Sequence, residues 1–185
     1  MVFKPIGRDG IPPPFFYRDQ VEQMGSFTHF DEHGSTRMVD VGSKEWTHRR
    51  AVARGRVRMN PETRTAIESG LASKKGNVLE VARLAGIMAS KQTSQLIPLC
   101  HPVPIDSVQL DCDWISAEEL EWTATAEATW KTGVEMEALV AVTTACLTVY
   151  DMCKAIDKGM TLESIRLTSK TGGKSGEFRR AGEER

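Results

Sequence analysis

The sequence is short of everything that would mark an extreme class of protein. It has four cysteines in 185 residues. None are in C-x-x-C spacing, and none are set against histidines in a finger pattern, which argues against a disulfide scaffold and the common zinc motifs. Cys146 and Cys153 lie seven apart in an apolar helical stretch and read as small core residues. The Cys100–His101 dipeptide is weak evidence for a metal. Reduced thiols and no structural metal are therefore expected. A net charge of −1 removes any global attraction to nucleic acid or an anionic membrane. An anion site must come from local clustering. No run approaches a membrane span, and the opening MVFKPIGRDGIPPPFF lacks a signal-peptide apolar core. The expected location is the cytoplasm.

What remains is an ordinary globular composition, 40% hydrophobic and 26% charged. Residues 1–27 have no period and read as a flexible arm. Residues 28–179 read as one domain, and 180–185 as a flexible tail. AVARGRVRM (51–59) alternates apolar residues against Arg54, Arg56 and Arg58, which predicts a strand. NPETRTAIESG (60–70) has Asn60 at a helix cap, Pro61 at the first helical position and Gly70 at the stop. A second helix is predicted over 76–92, with Val78, Val81, Ala82, Ala85 and Met88 on its inner stripe. LIPLCHPVP (96–104) holds three prolines and reads as irregular.

SVQLDCDWI (107–115) and LEWTATAEATW (120–130) both alternate, and the short connection between them suits a hairpin. Residues 132–156 are apolar nearly all round, which predicts a buried helix. MTLESIRLTSK (160–170) closes the pattern as a strand. The order is strand, two helices, two strands, helix, strand. It predicts an α+β fold: a ferredoxin-like split β-α-β arrangement with an extra helix, a mainly antiparallel sheet and helices on one face.

Four groups of residues carry candidate chemistry. Asp151 and Lys154 share one side of the apolar helix. An exposed ion pair there would be worth little, whereas a half-buried acid beside a lysine suits proton transfer. Glu135 and Glu137 fit first-turn acids complementing the helix dipole, with Thr132 as a possible cap. Glu135 lies sixteen residues before Asp151, so an unbroken helix separates them by ~24 Å. If both are functional in one small site, that site must join two subunits. His101, in a proline-stiffened loop, is placed to face a cleft. Finally, Lys44, Arg49, Lys74, Lys75, Lys170 and Lys174 lie in loops, Lys75 before a helix start. TSKTGGKSG (168–176) fails as a Walker phosphate loop, because Thr168 stands where glycine is needed, yet its Gly172–Gly173 turn suits an anion nest.

MVDV (38–41), KKG (74–76), LIPLCHP (96–102), KTGVEMEAL (131–139), YDMCKA (150–155) and SKTGGKSG (169–176) occur in this order. Together they resemble the cyclic pyranopterin monophosphate synthase family, the molybdenum cofactor biosynthesis protein C family, over roughly 27–179. The resemblance implies a ferredoxin-like subunit in a homohexamer, a trimer of dimers with sites at the dimer interfaces. It implies a phosphorus–oxygen lyase that converts 3′,8-cyclo-7,8-dihydro-GTP, the product of a radical GTP cyclase, to cyclic pyranopterin monophosphate and pyrophosphate. No cofactor is implied; Mg²⁺ would only accompany the triphosphate, for which the sequence shows no acidic cage. By motif, Asp151, Lys154 and Lys75 match catalytic residues, with His101 sharing or positioning that work. Leu99, Cys100, His101, Met136 and Glu137 match substrate-contacting segments, and Asp40, Lys44, Arg49, Glu135 and Lys170 match other pocket residues.

The competing reading is a non-catalytic nucleotide- or RNA-binding module. It would need aromatics displayed on the central strands. Trp114, Trp122 and Trp130 instead share the apolar phase of their strands, which predicts a core position.

Overall fold

The structure is a computed structural model and describes residues 35–70 and 76–183. The arm expected at 1–27 and the Lys74–Lys75 pair lie outside the described residues. The chain divides into two units, residues 1–39 and 40–185, and the description below concerns the second.

Five strands form an antiparallel sheet: β1 (Thr47–Arg58), β2 (Ser107–Trp114), β3 (Glu119–Trp130), β4 (Thr161–Thr171) and β5 (Phe178–Arg179). Their spatial order is β2-β3-β1-β4-β5. The first four give the split β-α-β order expected from the sequence. Four helices complete the described residues: α1 (Pro61–Glu68), α2 (Val78–Ser90), α3 (Thr93–Leu96) and α4 (Glu135–Cys153). The one-turn α3 and the two-residue β5 are additions to the predicted order.

Alternation makes the sheet two-faced. Ala51, Ala53 and Val57 of β1 are buried, as are Leu120, Trp122, Ala124, Ala126 and Ala128 of β3. These small side chains let α4 lie close, with Ala138, Ala141 and Ala145 buried against them. Contrary to the expectation that no run approaches a membrane span, α4 is long and apolar enough for one, but it packs as the core helix between α2 and the sheet. Cys146 and Cys153 are buried in this core as free thiols, and Trp114 and Trp130 pack at its margin. The open sheet face therefore lacks the tryptophan platform an RNA-binding sheet would use.

α2 corrects the predicted stripe. Asn77 caps it by accepting from the Leu79 and Glu80 N–H groups at 3.0 and 3.3 Å. Its inward row is Val78, Ala82, Gly86 and Ser90. A Cβ on Gly86 would sit 2.7 Å from the Ala141 carbonyl oxygen, so the two helices touch through backbone there. Val81 and Met88, expected inside, are exposed, as is Leu84. The smallest residues take the crowded side, which displaces the larger ones outward.

The open face is a lattice of charges centred on Glu121. Its carboxylate lies 2.7 Å from Arg56, 3.1 Å from Arg166 and 3.6 Å from Arg54. Glu183 also pairs with Arg54 and Arg166. Burial alone would raise the Glu121 pKa, but hydrogen bonds from Arg56 and Arg166 outweigh it and hold it below the ordinary value. Glu121 thus contributes stability above its unfolded pKa that is lost as pH falls through the lower folded pKa. Glu121→Gln should cost about 2–3 kcal/mol near neutrality, because it leaves three guanidinium groups under-compensated around a buried position. Urea unfolding should show that gap closing as pH falls below the ordinary glutamate range and through the lower folded pKa, where the wild-type carboxylate itself protonates.

Candidate active site

A cleft opens where the start of β1, the end of β3 and the exit of β4 meet. Its position depends on two glycines. Gly172 and Gly173 have φ values of 94° and 75°, in the left-handed region. A Cβ on Gly172 would lie 2.1 Å from the His48 carbonyl oxygen, and one on Gly173 would lie 1.5 Å from an Arg49 guanidinium nitrogen. The turn therefore lies flat on β1, and Arg49 occupies the room that side chains would have taken. Arg49 also donates to the Trp130 and Lys131 carbonyls at 3.3 and 3.5 Å, tying β1 to the end of β3.

The cleft has a volume of about 420 Å³, and Lys44, Arg49, Arg50, Lys131, Lys170 and Lys174 line it. Glu135, at the first turn of α4, is the one acidic residue lining it among the described residues. Lys170 sits 3.3 Å from the Glu135 carboxylate and donates to the Ser175 hydroxyl at 2.6 Å. Arg50 is held by Glu127 at 3.0 Å. This excess of cations beside a glycine turn suits a polyphosphate.

Four of the pocket residues expected from sequence, Lys44, Arg49, Glu135 and Lys170, thus meet here. Asp40 acts one step back. Its carboxylate accepts from the Gly42 N–H at 2.7 Å, and the Gly42 carbonyl accepts from Lys131 at 2.6 Å. These bonds shape the turn that carries Lys44. Thr132 lines the cleft and does not cap α4, whose first turn follows Val134 without a side-chain cap. Lys131 and Arg50 were not among the sequence candidates. Lys131 stands in the quoted KTGVEMEAL stretch, and Arg50 follows the alternation of β1.

Glu137, two residues further along α4, points to the buried side and is 3% exposed. Burial first, and then the charge of Glu135, push its carboxyl up to about 7. Burial, followed by the Glu137 charge, also raises the Cys100 thiol. The structure therefore brings the Leu99–His101 loop to the buried acid of α4. Leu99, Cys100, His101 and Met136 are all half-buried.

Asp151 and Lys154 stand apart. α4 runs unbroken from Glu135 to Cys153, so they are at its far end. Lys154 donates to Asp151 at 2.7 Å, and both side chains are more than half exposed in the single chain. The half-burial expected from the apolar surroundings is absent here, because Leu147 shares the same outward side. The hydrogen bond from Lys154 to Asp151 raises the lysine pKa, with the aspartate charge adding to it. Lys75 lies outside the described residues. Among the described residues, no three His, Cys, Asp or Glu side chains converge as a metal site.

The MoaC family model matches residues 38–173, a span that includes both ends of α4 and every cleft-lining residue except Lys174 and Ser175. The chain belongs to the MoaC family. It is 57% identical to a cyclic pyranopterin monophosphate synthase of Novosphingobium aromaticivorans, over 85% of this chain and 99% of the relative. A synthase of the same name from Parvibaculum lavamentivorans is 58% identical over 82% of this chain and 95% of its own length. One from Thermomicrobium roseum is 54% identical over 87% and 97%. The family match begins before the Lys44 turn and ends at Gly173, so α4 and all of the cleft but its Lys174–Ser175 edge belong to the shared part of the chain.

Proposed function

We propose that this MoaC-family chain converts 3′,8-cyclo-7,8-dihydro-GTP to cyclic pyranopterin monophosphate in molybdenum cofactor biosynthesis. The relatives' shared name supports the product, and the cleft of six cations around a glycine turn carries the reading of the substrate. A cyclic monophosphate forms from a triphosphate when a sugar hydroxyl attacks the α-phosphorus. The bond to the β-phosphate oxygen then breaks, and pyrophosphate leaves with that bond's electrons. This is phosphorus–oxygen lyase chemistry.

Arg49, Lys44, Lys131 and Lys170 hold the polyphosphate and stabilise charge on the departing pyrophosphate. Asp151 and Lys154 move the protons that the ring rearrangement requires, with His101, and Lys75 by its match to the family motif, sharing that work. Glu137, Cys100, Leu99 and Met136 shape the pocket for the purine-derived rings. The reading needs no cofactor, and Mg²⁺ would enter only with the triphosphate.

The two ends of α4 belong to one site only across an interface. The exposed Leu84, Met88 and Leu147 support a second copy as the cover of the helical face. The assembly is a homohexamer built as a trimer of dimers, working in the cytoplasm on the product of a radical GTP cyclase. The direct test is incubation with the cyclised GTP intermediate and mass analysis. Cyclic pyranopterin monophosphate and pyrophosphate in equal amounts are expected. Unchanged substrate, with the chain folded and assembled, would sink the proposal.

A further inference from the structure

We infer that Glu135 is an internal counter-anion of the cleft: it competes with substrate phosphate for Lys170 and so promotes pyrophosphate release. The inference rests on the cleft being the polyphosphate site proposed above, and it assigns Glu135 a role opposite to that of its neighbours. Every other charged lining residue attracts an anion, whereas Glu135 repels one.

Its placement is specific. The carboxylate lies 3.3 Å from Lys170, and both side chains are mostly shielded, at 30% and 22% exposure. Screening between them is weaker than at an open surface. An ammonium has three donors, and the Ser175 hydroxyl at 2.6 Å takes one of them. A phosphate oxygen that comes to Lys170 must displace the carboxylate or endure its charge. When pyrophosphate departs, the carboxylate is at hand to take Lys170 back. A cleft with six cations and no such acid would hold its product tightly, so an internal competitor moderates affinity where turnover needs release.

Gly133 supplies an independent handle. A Cβ there would fall 1.8 Å from one Glu135 carboxylate oxygen and 2.8 Å from the other. The side chain thus folds back over Gly133 to reach Lys170. Gly133→Ala would push the flexible carboxylate off this path without removing its charge.

The test is pyrophosphate binding to the full-length protein, by calorimetry for affinity and stopped-flow for dissociation. Glu135→Gln should bind pyrophosphate about 10-fold more tightly than wild type, chiefly through slower dissociation. Gly133→Ala should shift the same way by a smaller factor. In a Lys170→Met background the Glu135→Gln gain should vanish, a coupling that a merely structural role would not produce. If Glu135→Gln leaves affinity unchanged while Arg49→Ala loses binding, the cleft reading stands and the counter-anion role is overturned. An equal gain with and without Lys170 also overturns it. If wild type and Arg49→Ala bind pyrophosphate equally, the cleft reading itself fails and this inference falls with it.

Discussion

Mixing Asp151→Asn chains with Arg49→Ala chains should restore activity that neither has alone. Each variant by itself should lose about 10²–10⁴-fold in turnover, one by removing the proposed proton-transfer group and the other by removing the proposed phosphate clamp. The two residues cannot meet within one chain. Arg49 lies in the cleft at the Glu135 end of α4, and Asp151 lies near its other end, ~24 Å along an unbroken helix. If each site takes its cleft from one copy and Asp151 from another, a mixed dimer has one site with both defects and one with neither. Random mixing of equal amounts would then make about one quarter of the sites intact. Co-expression with two affinity tags, followed by tandem purification, isolates the mixed oligomers. Mixed oligomers as inactive as either parent would show that Asp151 and Arg49 serve the same chain's site or that one of them serves none.

The same experiment separates the two meanings of the Asp151–Lys154 pair. On the single chain it looks like a surface pair, more than half exposed and bonded within one helical turn. Such a pair contributes little to stability. Asp151→Asn should therefore leave the unfolding midpoint nearly unchanged. Loss of turnover with unaltered stability and assembly is the pattern of a functional group, and sequence alone could not separate it from an idle ion pair.

Much of the architecture was legible because its patterns are local. β1, β2 and β3 alternate, Pro61 opens α1, and the apolar stretch after Val134 could only be a core helix. The strand order then follows from short connections and the need to cover one face. The faces of α2 were less legible. Periodicity located a stripe but not the neighbour it would meet, and close helix packing selected Ala82 and Gly86 over the larger Val81 and Met88. β5 and α3 are too short to leave a period. In the cleft, the glycine turn and the cations Lys44, Arg49, Lys170 and Lys174 could be read from residue type, although Arg49 and Lys170, expected in loops, stand on β1 and at the end of β4. Lys131 and Arg50 could not, because only the register that sets the start of β1 beside the end of β3 brings them in.

Above about pH 8, Glu137→Gln should be more stable than wild type, while its turnover falls. Glu137 is buried at the start of α4, and burial is the main reason its carboxyl is pushed up to about 7. In the unfolded chain the group titrates near ~4.3. Between those values the folded state keeps a proton that the unfolded state has released, so wild-type stability falls as pH rises through that window and levels off above it. Glutamine matches the shape of the protonated acid and never ionises. The difference should be negligible near pH 4 and grow to roughly 2–3 kcal/mol by pH 8.5, after allowing for some relaxation around the charge. Urea midpoints at four pH values between 4 and 8.5 would trace it. A constant gap would mean that Glu137 does not titrate in this range, and that burial is not what sets its protonation. A widening gap, with turnover lost in the same variant, would place a neutral-pH proton carrier beside the Cys100 loop. The protein would then be retaining a destabilising acid where proton transfer needs one.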